Sequence, residues 1–149
     1  MEEAEVDAID ELIERFEQVE RVERETVLDA DEERAWEAIS DPAELERWLA
    51  DEVDLEPVEG APARFEVDGE ERPGRVERVV EGRELAFTWS RAPGEESLVE
   101  LVLAPCVGGT RISVVETRLR TGADAPPLLM SGWDDGLRGL RRLAHLVLA

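Results

Sequence analysis

The chain has 149 residues, the size of one domain, and is long enough to bury roughly 70% of its unfolded surface in a single core. At 42% hydrophobic and 37% charged it is too apolar for a disordered segment. Thirty-eight acidic residues against seventeen basic ones leave a formal charge of -21, which repels phosphate backbones and anionic headgroups and argues against nucleic acid or a membrane surface as partner.

Every basic side chain except His145 is Arg, and Lys, Asn and Tyr are absent. Two sources account for that bias, GC-rich codons or a halophilic host. The N-terminus carries no basic region followed by an apolar stretch, and no apolar run nears the roughly 18 residues of a membrane span, so a cytoplasmic location is expected. Cys106 is the lone cysteine, which leaves no intrachain disulfide or cysteine metal site and suggests a small buried apolar residue.

Residues 1–19 place Val6, Ile9, Leu12, Ile13, Phe16 and Val19 at helical spacing between carboxylates, an amphipathic extension to a domain over 20–149. From Val22 to Leu28 the pattern shifts toward alternation and predicts a strand. Asp29 to Asp31 then offer a cap for a helix carrying Ala35, Trp36 and Ile39. Asp41-Pro42 starts a second short helix with Leu45, Trp48 and Leu49 on its apolar stripe.

Beyond Asp51 the chain reads as extended segments near 53–58, 63–67, 75–80, 84–90, 98–103 and 111–119. Turn signals at Asp68-Gly69, Glu81-Gly82, Pro93-Gly94 and Gly108-Gly109 predict an antiparallel meander. Alternation puts Leu85, Phe87 and Trp89 on one dry face, with Val99, Leu101 and Leu103, then Ile112 and Val114. Thr88, Glu100 and Arg111 fall opposite. After a Gly-Pro-rich connection at 122–127, residues 128–148 predict a helix about 30 Å long, with Trp133, Leu137, Leu140, Ala144 and Val147 on one stripe. Only the dry sheet face is large enough to receive that stripe, so two layers are expected.

In this order the segments AWEAISDPAELERW, GRVERVVEGRELAFTWS, GGTRISVVETRL and SGWDDGLRGLRRL resemble the SRPBCC, or START-like, helix-grip superfamily, in the branch named after the activator of heat-shock protein 90 ATPase. The resemblance covers residues 22 to 148. It implies an α+β fold: a curved antiparallel sheet around a long C-terminal helix, two short helices after the first strand, and a cavity between sheet and helix for an apolar or amphipathic small molecule. Much of the branch is bacterial. Fold membership by itself fixes no chemistry.

Intersecting the dry face with the helix stripe yields Phe65, Phe87, Trp89, Leu101, Val114, Met130, Trp133 and Leu137 as candidate ligand-binding residues, with Trp48 at the mouth. For each of them the other reading is ordinary core packing, which any two-layer domain of this composition requires. Glu116 is the sharper candidate, because continuing from Ile112 and Val114 turns its carboxylate inward, where it needs an Arg, water or a ligand polar group. The resembling family often carries a polar residue such as His or Glu at this strand position. The other reading is a strand-end Glu facing solvent or paired with Arg78 or Arg118.

Asp134 and Asp135 diverge on one helix and form no carboxylate pair, and His145 lacks companions for a hydrolytic triad or a metal site. No P-loop or dinucleotide fingerprint is present. The reading is a non-catalytic module, monomer or homodimer, that binds a small hydrophobic molecule without a cofactor. Two alternatives stand beside it: a protein-interaction or co-chaperone-like role, and an enzyme acting on an aromatic or polyketide-like substrate with Glu116 as base.

Overall fold

The computed structural model describes residues 20–92, 95–120 and 130–148. The expected helix over 1–19, the Pro93-Gly94 turn and the 122–127 connection lie outside these residues. The first strand, β1 (Arg21–Leu28), leads into α1 (Glu32–Ser40) and a one-turn helix α2 (Pro42–Leu45). There follow β2 (Glu52–Leu55), β3 (Pro62–Val67), β4 (Glu70–Val80), β5 (Glu84–Ala92), β6 (Glu95–Cys106) and β7 (Gly109–Arg120), and the chain closes with α3 (Met130–Leu148).

The helix starts are capped as the sequence predicts. Asp31 accepts from the Arg34 backbone N–H at 2.8 Å, with Glu32 and Glu33 in the first turn of α1 facing its positive end. Asp41 ends α1 and caps α2 by accepting from Ala43 N–H at 2.9 Å, while Pro42 fills a position that needs no donor. Removing the Asp31 cap with Asp31→Ala should destabilise the domain by about 1 kcal/mol, a fall in Tm of about 2 to 4 °C measurable by thermal unfolding.

The seven strands among the described residues form one antiparallel sheet in the order β1-β7-β6-β5-β4-β3-β2. β2 to β7 are a meander, and β1 is returned to its far edge beside β7, so α1 and α2 must carry the chain from one edge of the sheet to the other. The helix α3 packs against β1 and α1. Of its expected stripe, Trp133, Leu137 and Leu140 are buried, joined by Leu143, while the side chains of Ala144 and Val147 lie outside the described residues; exposed Asp134 reaches Arg24 of β1 at 2.8 Å.

The inward faces of the strands build one core around Phe65, Phe87, Leu101, Ile112 and Leu140, each essentially inaccessible. Phe65 stacks on Phe87 at 4.8 Å, and Trp89 meets both edge-on at 5.3 and 5.4 Å.

Five local expectations change. Strand β2 ends at Leu55 rather than near residue 58; Pro57, which has no N–H to donate, lies just beyond it. α2 is a single turn, so Trp48 and Leu49 sit on the turns that follow it. β4 begins at Glu70, not Arg75, and runs through Pro73 and Gly74. Pro73 is tolerated because β4 pairs with β5 only from Gly74 onward, so the ring interrupts no bond on that side. Cys106 is partly exposed at the end of β6 rather than buried. Thr88, although on the outer face, is buried.

Candidate functional site

Three strands end their inward apolar rows in a charge, and all three charges arrive at the same place. In β7 the row Ile112, Val114 continues to Glu116; in β5 the row Phe87, Trp89 continues to Arg91; in β4 the row Val76, Gly74 continues to Arg72. Register brings them together: Gly74 lies opposite Trp89, Val99 opposite Phe87 and Glu116, and Arg72 opposite Phe65. Arg91 sits at the irregularity between Ser90 and Ala92, where the β5–β6 register shifts.

Glu116, with 1% of its surface exposed, is the hub. Its Oε2 accepts from Trp89 Nε1 and its Oε1 from Trp133 Nε1, both at 2.9 Å. Arg91 Nη2 approaches both oxygens at 3.4 Å. Glu116 therefore holds a sheet tryptophan and a helix tryptophan together, and their rings stack with centroids 6.1 Å apart. Of the two partners weighed from sequence, Arg78 is engaged with Glu84 and Arg118 with Glu20, so the ion pair goes to Arg91 instead. A general base needs a lone pair aimed at substrate. Here each carboxylate oxygen already holds an indole N–H.

The Arg72 guanidinium lies 4.6 Å over the Trp89 ring, a cation–π contact. Burial lowers its pKa from the ordinary value, and the neighbouring Arg91 charge lowers it further, against the opposing pull of Glu70, Glu116 and Asp68. It stays a cation, because a guanidinium is not deprotonated in proteins.

These groups line a cleft of about 520 Å³ between the sheet and α3. Trp48, Leu49, Val67 and Trp133 supply its apolar wall, Gly132 and Gly136 of α3 its helical side, and Arg72, Arg91 and Glu116 its polar end, with Asp68, Glu70 and Glu95 also on the lining. Trp48 is fixed by donating Nε1 to the Ala38 carbonyl at 2.9 Å. Gly136 lets α3 approach it: a Cβ there would stand 3.3 Å from the Trp48 carbonyl oxygen.

Of the sequence candidates, Trp48, Trp89, Glu116 and Trp133 line this cleft. Phe65, Phe87, Leu101, Val114 and Leu137 are buried in the core and do not. The Met130 side chain lies outside the described residues. Arg72, Arg91, Leu49 and Val67 were not singled out from sequence. Arg91 was legible as the next inward position after Trp89; Arg72 was hidden because Pro73-Gly74 reads as a turn and breaks the alternation that leads to it.

A second depression, floored by Phe65, is lined by Glu46, Asp51, Glu52, Asp54, Glu66 and Glu71. A hydrogen bond with Glu52 and the repulsion of its charge raise the Glu66 pKa above the ordinary carboxyl value. Among the described residues no group of His, Cys, Asp and Glu is arranged to hold a metal ion, and no helix is long and apolar enough to cross a membrane.

A family model described as Activator of Hsp90 ATPase homolog 1-like protein matches residues 29–145. The chain belongs to that family. Solved structures agree on the helix-grip architecture. Protein MLL2253 from Mesorhizobium loti superposes with a TM-score of 0.71 at 22% identity, covering 85% of this chain and 97% of that one. DynU16, from the dynemicin biosynthetic locus, superposes with a TM-score of 0.74 at 26% identity over 85% of this chain, which spans 47% of DynU16. CalU16 from Micromonospora echinospora has a TM-score of 0.67 at 24% identity, covering 85% of this chain and 76% of that one. No curated protein matches the chain in sequence. The family places the seven-stranded sheet and long helix in a known architecture, and within it Glu116 and the tryptophan pair stand where sheet and helix meet.

Proposed function

We propose that this family member is a cytoplasmic binding module for a small hydrophobic or amphipathic molecule held between the sheet and α3. The observation that carries the reading is the cleft itself. Its volume of about 520 Å³ falls inside the range of about 300 to 1,000 Å³ of small-molecule sites, and it combines an apolar aromatic wall with a few convergent polar groups. The similarity to DynU16, a putative protein in the dynemicin biosynthetic locus, is in keeping with it. A binding role is favoured over an enzyme using Glu116 as base, because that carboxylate is committed to Trp89, Trp133 and Arg91.

Gly132 offers a test that leaves the fold intact. It lines the cleft, and a Cβ built on it meets nothing within 4 Å, so a larger side chain enters open space. Gly132→Leu should weaken binding of a neutral solvatochromic dye such as Nile red by about tenfold or more. Its Tm should hold or rise, since removing a helical glycine gains roughly 0.5 to 1 kcal/mol. Unchanged dye affinity in Gly132→Leu, or no dye binding by the parent protein, would count against the cleft as a ligand site.

A further inference from the structure

The two guanidinium groups at the polar end of the cleft are incompletely hydrogen-bonded. Arg72 and Arg91 have side chains only 14% and 22% exposed, and among the described residues the deeply buried carboxylate beside them is Glu116. Its short hydrogen bonds go to the two indoles, whereas Arg91 reaches it at 3.4 Å, beyond the roughly 2.7 to 2.9 Å of a well-made charge-assisted bond. The ion-pair contact of Arg72 is with Glu70, 3.7 Å away and half exposed. Among the described residues, Nε of Arg72 and Nε of Arg91 are both buried and neither makes a hydrogen bond. An unpaired buried donor on a charged group is unfavourable, and a guanidinium satisfies such donors best with a planar two-oxygen acceptor.

Resting on the binding-module reading above, we propose that the cleft selects an amphipathic monocarboxylate. Its carboxylate sits at Arg72 and Arg91, and its apolar body lies along Trp48, Leu49, Val67 and Trp133. Stacking over Trp89 holds the Arg72 guanidinium in place before the ligand arrives, so little side-chain freedom is lost on binding. The same surroundings restrict the head group to one negative charge. Asp68, Glu70 and Glu95 share the lining, and the chain carries a net -21, both of which repel a phosphate or a second carboxylate. The distant charges act weakly on a bound group, because at about 0.1 M salt they are screened beyond roughly 10 Å.

The test compares ligands that share a body and differ in the head. Decanoate, decanol and decyltrimethylammonium form one series, and naphthoate with naphthylmethanol form another, so that fatty and aromatic acids are distinguished. Affinities are measured by displacement of Nile red from the full chain at neutral pH. In at least one series the acid should bind about tenfold or more tightly than its alcohol, a difference typical of one charge-assisted contact. In Arg72→Gln and in Arg91→Gln the ratio of acid to alcohol affinity should shrink to about twofold or less, with the near-UV circular dichroism of each variant reporting whether the tryptophan packing of the cleft is kept. Arg72→Lys should restore part of the preference.

Alcohol or ammonium probes that bind as tightly as the acid in both series would overturn the proposal and leave the binding module standing. So would an acid preference that survives both arginine substitutions. Failure of every probe, Nile red included, would overturn the binding-module reading and the carboxylate with it.

Discussion

Glu116→Gln should destabilise the domain by about 2 to 4 kcal/mol, lowering Tm by on the order of 10 °C and shifting urea unfolding to a lower midpoint. The carboxylate accepts one indole N–H on each oxygen and is the deeply buried negative charge beside Arg91. An amide has a single acceptor oxygen. Whichever way Gln is turned, its NH2 group faces an indole N–H, and one tryptophan donor loses its partner in a site that excludes water. Arg91 loses its contact with a negative charge at the same time. The tryptophan stack at 6.1 Å should loosen, seen as a changed near-UV circular dichroism signal in the folded protein. A variant with the parent Tm and the parent near-UV spectrum would show that the carboxylate does not join sheet to helix.

Gly74→Ala should be at least as damaging, about 3 kcal/mol or more, with a fall in Tm again on the order of 10 °C. A Cβ at this position would stand 1.7 Å from the Thr88 carbonyl oxygen, 2.7 Å from its carbonyl carbon and 3.1 Å from the Trp89 Cα. All three are backbone atoms of the paired strand, so no rotamer change relieves the clash and β4 must move away from β5. That displacement falls where Gly74 pairs with Trp89, two residues from Arg72, and should weaken dye binding as well as stability. Gly132→Ala is the control, because its Cβ meets open space and its Tm should not fall. A Gly74→Ala protein as stable as the parent would mean that β4 does not pass Thr88 at this distance.

The two substitutions bear unequally on what the sequence shows. Glu116 is legible because a strict two-residue period carries Ile112 and Val114 inward and takes Glu116 with them, and a carboxylate in a dry row demands partners. Gly74 is not, because Pro-Gly is the usual mark of a turn, and only pairing with a neighbouring strand shows why the smallest side chain is needed there. Arg72 was lost with it. Trp48 falls on a helix stripe by its spacing, yet it lies past the end of that helix and is placed instead by its bond to Ala38 and by the glycines of α3.

What the sequence by itself determined is the part governed by local rules and by burial. The capped helix starts, the alternating strands, the long amphipathic helix and their order follow from capping, period and turn chemistry, and the order carries the resemblance to the helix-grip superfamily. The tertiary structure decided which inward residues are core and which are cleft. Phe65, Phe87, Leu101 and Val114 share the inward period of Trp89 and Glu116, but depth beneath α3 separates them, and depth depends on where the helix crosses the sheet. It also decided that Arg72, Arg91 and Glu116 form one group. They come from β4, β5 and β7, and only strand register and the β5–β6 irregularity bring charges so far apart in the chain within reach of one another.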